Sequence, residues 1–600
     1  MPDRQEAESP SDLLANNQIF GYQVLPGEGP STDIMFSGVL PVQKLCSEAW
    51  GVRLFASPHS SLQSFVSNEQ GLCAYVWGNP SHPEVRASDI ASWCATVVAG
   101  EQYTRFRELL GTFVVIVDQP RKRRLTFVSD ILGIRPLFLG RHNGQLIFGS
   151  NVWSIHQAGL TSGKVDYDAV GSWIAFGYSC TGGSFFADLR RLPPGAALVL
   201  QDGQATEIPY TQFALDPHTP TTEQAAEYLH DTISSSLKAL VANHSRLSLS
   251  LSGGFDSRYL LALSLQANAP IETIVNVRFT SEEGEIAHKV ADILRVPIID
   301  FPVDGNIWDI YDEVYHFAAD GFPISKFVTY CIAQQYPNIP MLNGFLGGVI
   351  IRGFDDTLEG KYEDEFSENL ADVLQRNFLL TDLRVFRLNI FRGDFAKRML
   401  ARSRVPLEEV VRRGRPTAKV FDWELLYHRQ RYYASNNFLQ HLGFAEALLP
   451  FYSWGLISYK MAHPYRLFND AVYTTIFRRH FPQLADITHS DYLRRDRLQR
   501  EAHGLGYNLR EWWNAHRRVA QCTRRQARRL LPIMGQKGWL DLLRKDVCIP
   551  MTIFGCTSFP LGISRRFVPV VEKLMLNFER LYLLEKRAKE AGVDFNWEGI

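Results

Sequence analysis

The sequence predicts an α+β chain: a β-rich, two-layer unit up to about residue 213, then a parallel α/β sheet, then a helical C-terminal region. Three observations carry this. The first part is punctuated by short apolar runs, GTFVVIVD, RRLTFVSD, PLFLG, QLIFGS and AALVLQ, separated by glycines and charged turns, which is the pattern of strands joined by tight connections. From Thr221 onward, strand-like runs alternate with segments whose apolar residues recur every three or four positions, as in a parallel sheet covered by crossover helices. Beyond about residue 360 the pattern is mostly helical and rich in arginine and aromatic residues.

Residues 1–32, beginning MPDRQEAESPSDLLANNQ, are expected to form an N-terminal extension. Acidic residues and the lack of a long apolar core make it neither a signal peptide nor a transit peptide, which points to the cytoplasm. Residues 33–213 form the β-rich domain, and the stretch Ile208–Pro220, with three prolines and neither period, reads as a linker into a second domain spanning 214–600. That domain opens with a helix capped by Thr221 or Thr222, followed by a strand Leu247–Leu251, a helix through Leu265, a strand near IETIVNVRF, a helix Glu283–Leu294 and short strands in PIIDF and PMLNG. No uncharged apolar run reaches the roughly 18 residues a spanning helix needs.

With 46% hydrophobic residues, 21% charged residues and a net charge of -1, the chain has the balance of an ordinary globular protein of two or more domains. Such a balance gives no reason to expect nucleic acid or an anionic membrane as partner. The basic run Arg517–Arg529 is spaced along a helix as a solvated or peptide-docking face would be. Eight scattered cysteines without a CxxC pair are expected to be reduced and buried, and their spacing argues against thiol-dependent tRNA modification.

The informative stretch is Leu247–Leu265, LSLSLSGGFDSRYLLALSL, where an apolar strand passes through Ser252, Gly253, Gly254, Phe255, Asp256 and Ser257 into a helix. Two glycines let the backbone turn tightly, and the unpaired first amides of the helix sit at the positive end of its dipole. This is an anion site. It lacks the GK[ST] of a Walker loop and the GxGxxG of a dinucleotide site.

SGGxDS after a strand resembles the pyrophosphate loop of N-type ATP pyrophosphatases. The resemblance extends to the asparagine synthetase family. DQPRKRRLTFVSDILGIRPLF, from Asp118 to Phe138, is similar to that family's amidotransferase segment, with Gly111-Thr112-Phe113, Gly144–Ser150 and Leu192–Gly195 in the usual order. SEEGEIAHKVADIL, EALLPF (Glu446–Phe451) and Phe481–Ile487 resemble segments of the synthetase domain. The resemblance implies an amidotransferase-like β-sandwich followed by an ATP-pyrophosphatase domain, with ATP and Mg²⁺ as cofactors. It implies that Ser252, Gly253, Gly254, Asp256, Ser257, Gly344, Gly347 and Arg352 bind ATP and pyrophosphate, that Asp256 holds the metal, and that Glu446 is catalytic, as a base or as a group orienting the amine.

The family adenylates a carboxylate with ATP and lets an amine displace AMP. It includes β-lactam synthetases and lasso-peptide macrolactam cyclases. The expected substrate is a small molecule or a precursor peptide, with or without a partner protein that delivers it; the alternative is a degenerate scaffold that binds a nucleotide or a partner.

Three departures bear on activity. Met35-Phe36-Ser37-Gly38 stands where the amidotransferase would start with its nucleophilic cysteine, Val76–Pro80 replaces the glutamine pocket's NGEIYN, and Cys46 or Cys73 would be the substitutes, so glutamine hydrolysis is not expected. In the second glycine-rich loop, Asn343–Phe354, Phe345, Gly348 and Val349 replace two aspartates and a glutamate, leaving Asp355, Asp356 or Arg352 to compensate. Ser453 and Leu448 replace an aspartate and an arginine, and only Lys460 and Lys537 lie near where a catalytic lysine would fall.

Overall fold

In the computed structural model the described residues are 19–23, 43–46, 52–56, 61–179, 182–277, 281–301, 319–323, 328–353, 401, 420–439, 442, 444–490, 492–493 and 580–595. The expected Met35–Gly38 start, the basic run 517–529, Asp355, Asp356 and Lys537 lie outside them.

Among the described residues the first part has twelve strands: β1 (Ile19–Gln23), β2 (Gln43–Cys46), β3 (Val52–Ala56), β4 (Leu62–Ser67), β5 (Leu72–Gly78), β6 (Phe113–Gln119), β7 (Arg124–Ser129), β8 (Phe138–His142), β9 (Gln145–Gly149), β10 (Leu189–Arg191), β11 (Ala196–Gln201) and β12 (Gln204–Pro209). They pair into two antiparallel six-stranded sheets, ordered β10-β8-β9-β1-β3-β2 and β12-β11-β7-β6-β5-β4. Val114, Ile116, Leu125 and Phe127 of one sheet meet Leu139, Leu146 and Phe148 of the other, which closes a sandwich. The opposite face of the second sheet carries α1 (Ile90–Ala99), packed on Val115, Val117 and Val128. Strand β6 therefore has an apolar partner on both faces, and this is why it reads FVVIVDQ rather than alternating. The outer face of the first sheet, through Phe138 and Ile147, meets α2 (Val152–Gln157) and α3 (Tyr167–Phe176).

Ile19–Gln23 corrects the expected extension. Instead of preceding the domain, these residues form an inner strand, antiparallel to both β3 and β9. Ile19 is buried and its backbone is held by the Ser150 hydroxyl at 3.1 Å. At the other boundary, β12 runs into the expected linker, but five of its six residues are exposed, so Pro209 sits where no ladder amide is lost.

The later part is a five-stranded parallel sheet, ordered β15-β14-β13-β16-β17, with β13 (Leu247–Leu251), β14 (Ile271–Val277), β15 (Ile299–Phe301), β16 (Met341–Leu342) and β17 (Ala447–Leu448). It is preceded by α4 (Thr222–Val241); of the two threonines the sequence offers as cap it is Thr221 that caps it, closing a reciprocal capping box with Gln224. The crossovers use α5 (Phe255–Gln266), α6 (Ser281–Leu294) and α7 (Val328–Gln335). Between β16 and β17 come a π-helical turn Gly348–Arg352 and α8 (Val420–Glu424), and after β17 come α9 (Trp454–Ala462) and α10 (Asp470–His480). Helix 580–590 returns to the amidotransferase-like side, where Arg580 covers the Trp173 ring at 4.8 Å and Arg587 covers Trp153 at 5.6 Å. Among the described residues no helix is long and apolar enough to cross a membrane.

One contact between α4 and α10 makes the fold sensitive to acid. His230 and His480 stack with ring centroids 3.5 Å apart, and His230 also bonds the Tyr259 hydroxyl at 2.9 Å. Burial first, then His480, hold the His230 imidazole down at about 4; Asp231 and Glu227 oppose this, and Lys238 adds to it. The folded state thus favours neutral His230. Its contribution is intact above the unfolded value near 6.5 and is lost as pH falls from there toward 4. Discounted for partial solvent access, about 1–2 kcal/mol is at stake. Thermal unfolding measured from pH 7.5 to 4.5 should show a falling midpoint that is flatter in His230→Phe.

Candidate functional site

The Ser252–Ser257 turn, the candidate anion loop, lies at the C-terminal end of the central strand β13, where such sheets bind ligands. Gly254 is the N-cap of α5 and has no side-chain cap, so the helix's first amides keep their donors. The Ser252 and Ser257 hydroxyls lie 2.9 Å apart, and Ser257 accepts the Ser252 amide at 3.0 Å. Gly253 has to be glycine for space: a Cβ there would come within 2.8 Å of Ser490 and 2.9 Å of the Glu283 backbone. The buried Arg258, one residue past the motif, donates to the carbonyls of Gly253 at 3.2 Å and Ile487 at 2.6 Å, tying the loop to the segment after α10. Burial holds this guanidinium down at about 10.

Asp256 joins this loop to the second glycine-rich one. It accepts a hydrogen bond from the Tyr473 hydroxyl at 2.5 Å and one from the Gly348 amide at 2.9 Å. Cβ atoms at Gly344, Gly347 and Gly348 would lie 3.2, 2.8 and 3.3 Å from Asp256 atoms, so the surviving glycine frame is shaped around this one side chain. The protein packed around it pushes the Asp256 carboxyl up, against the pull of Tyr473, Gly348 and Arg352. Arg352 itself pairs with Asp470 at 2.5 Å, and the Tyr492 hydroxyl donates to the same aspartate.

The described residues do not fit a Mg²⁺ site of the expected kind. Phe345 and Val349, two of the three positions that would carry acids, are buried in the core, where Phe345 packs on Phe438. Among the described residues no three His, Cys, Asp or Glu side chains group as metal ligands would.

Glu446 is not brought to this loop. It precedes Ala447, which pairs with Met341 and through it with Ser248, so it starts about 16 Å behind Ser252 along the strands at roughly 3.3 Å per residue. There it accepts a bond from Arg135 Nη2 at 2.6 Å, an ion pair whose arginine is fully buried. Arg135 also donates to the Thr112 carbonyl at 3.2 Å and lies 4.8 Å over Trp77. The segment in place of the glutamine pocket therefore ends against a guanidinium: a Cβ on Gly78, with φ of +122°, would meet Arg135 at 2.8 Å.

The substitute residues have structural employment. Ser453 caps α9 by accepting the Leu456 amide. Leu448 is a buried strand residue. Lys460 is buried 3.5 Å from Asp422, with the Phe468 ring at 3.9 Å. Cys73 lies in β5 opposite Asp118, while burial pushes the Cys94 thiol far up.

Residues 95–211 match the glutamine amidotransferase domain family. This span carries β6 to β12, and it agrees with the resemblance of the first part to asparagine synthetases. No curated protein matches the sequence. Two solved structures show slight likeness. The allosteric regulatory enzyme of purine biosynthesis is 10% identical, with 48% of this chain and 76% of that one covered at a TM-score of 0.22. The glutamine phosphoribosylpyrophosphate amidotransferase from B. subtilis, complexed with ADP and GMP, is 11% identical, with 48% and 60% covered at 0.20. Neither carries weight for function at that similarity.

Sequence reasoning missed Tyr473, Asp470 and Arg135 as partners of the candidate residues. The available signal for the first two was their spacing of three on one helix, which puts both on the face turned to the loop.

Proposed function

We propose that the protein is an ATP-dependent, AMP-forming amide-bond ligase. It would activate a carboxylate of a small molecule or precursor peptide and pass it to an amine that does not come from glutamine. The observation that carries this reading is the anion loop, with two serine hydroxyls and uncapped helix amides at the mouth of a parallel sheet. In this reaction a carboxylate oxygen attacks the α-phosphorus and pyrophosphate leaves; the amine then attacks the acyl carbon, AMP leaves and the amine's proton goes to solvent or a base. The loop's part is to hold and neutralise the leaving pyrophosphate, with Arg352 a cation whose charge acts on Asp256. That no cysteine precedes Cys46 in the sequence supports an amine drawn from elsewhere.

A second reading, a nucleotide-binding scaffold without turnover, is favoured by one observation: the candidate base Glu446 is already engaged by Arg135. Calorimetric titration with ATP, together with an assay for AMP against a panel of carboxylates and amines, separates the two. The ligase reading expects native protein to bind ATP, Ser252→Ala to bind at least tenfold more weakly, and one AMP per amide formed. Binding without AMP under any donor pair favours the scaffold, and no binding at millimolar ATP removes the ligase.

A further inference from the structure

The metal-ligating aspartate that the resemblance implies and the geometry of Asp256 disagree, and the disagreement is informative. Both carboxylate oxygens are engaged, one by the Tyr473 hydroxyl and the other by the Gly348 amide. Each partner belongs to a different element: Asp256 opens α5, Gly348 opens the π-helical turn that ends in Arg352, and Tyr473 sits one turn into α10. The three glycines nearest it let their loop close in on the carboxylate, since a Cβ on Gly347 would lie 2.8 Å from its Cγ. Among the described residues, Asp470, the other acid near Asp256, is itself held by Arg352 and Tyr492. Both positions where acids would have completed a shell from the core side are apolar, Phe345 and Val349.

We infer that Asp256 is a strut rather than a metal ligand: it pins the 344–352 loop and α10 to the start of α5, so that the anion loop and Arg352 keep one relative position. Under the ligase reading, on which this rests for its functional sense, phosphate charge on the loop is then met by serine hydroxyls, helix amides and Arg352 rather than by a cation seated on Asp256. Keeping an aspartate here serves geometry, because only a carboxylate offers two acceptors to a hydroxyl and an amide on opposite sides.

The test uses the full chain and Mn²⁺ as the metal probe. Thermal unfolding of Asp256→Ala, Tyr473→Phe and the double variant should show midpoints lowered by several degrees in each single variant, with the double lowered by less than the sum. Mn²⁺ titrations followed by electron paramagnetic resonance, with and without pyrophosphate, should give the same free-metal curve for native protein and Asp256→Asn. Additive midpoints, or a tenfold weaker Mn²⁺ affinity in Asp256→Asn with its unfolding midpoint unchanged, would overturn the strut. If ATP fails to bind the native chain while the Asp256–Tyr473 coupling is present, the strut stands and the ligase reading falls.

Discussion

Glu446→Gln is expected to cost the fold about 3–5 kcal/mol, read as a shift of the urea midpoint at unchanged slope. The reason is the company Arg135 keeps. Its guanidinium is fully buried, stacked on Trp77 and bonded to the Thr112 carbonyl, and the only carboxylate that the described residues bring to it in an ion pair is Glu446 at 2.6 Å. A glutamine can still accept one bond, but it leaves the positive charge uncompensated in a place water does not reach. Replacing both partners, Arg135→Met with Glu446→Leu, should recover most of the loss, because a matched apolar pair carries no desolvation penalty. The outcome also bears on chemistry. A glutamate acting only as a base would give a variant of native stability and no turnover, whereas the ion pair predicts a protein that is weakened whether or not substrate is present.

What could be read from the sequence follows how local each interaction is. Strands β6, β7, β8, β9 and β11, the threonine cap of α4 and the turn from β13 into α5 are written in contiguous residues, and these form at their expected places. The glycines at 344 and 347 are legible as a frame, but what they enclose is not. Their partner Asp256 lies some ninety positions earlier and its other partner Tyr473 more than two hundred later, a pairing that only the sheet topology creates. Glu446 shows the opposite failure. The short stretch EALLPF resembles a synthetase segment but does not announce strand β17 at Ala447–Leu448, and the side chain that Glu446 meets comes from the first domain, 311 residues away. Strand β1 was missed because its flanks are polar and the run IFGYQ is short; it is stabilised by pairing on both sides, not by its own propensity.

Asp130→Asn should be nearly as damaging, and for a reason that isosteric shape cannot repair. Each oxygen of this buried carboxylate serves two donors: Oδ1 accepts from the Ile134 amide at 2.8 Å and from the Tyr452 hydroxyl, and Oδ2 accepts from the Arg135 amide at 3.0 Å and the Phe113 amide at 3.3 Å. Whichever way an asparagine turns, its NH₂ faces two hydrogen-bond donors, so at least two buried groups lose their partner. At roughly 1–3 kcal/mol for each unsatisfied group, a loss of about 3 kcal/mol or more is expected in equilibrium denaturation. Burial pushes the Asp130 carboxyl up, with Tyr452 and the three amides pulling it back, so the ionised form is kept at a cost that the four donors offset. Because Tyr452 lies beyond the parallel sheet and its oxygen also accepts the Leu132 amide at 2.8 Å, the same carboxylate fastens the two parts of the chain together. Tyr452→Phe should therefore loosen that junction while sparing most of the turn, and limited proteolysis should cut between residues 209 and 222 faster in this variant than in native protein. Equal cleavage rates would show that the junction is held elsewhere, by contacts such as Arg135 with Glu446.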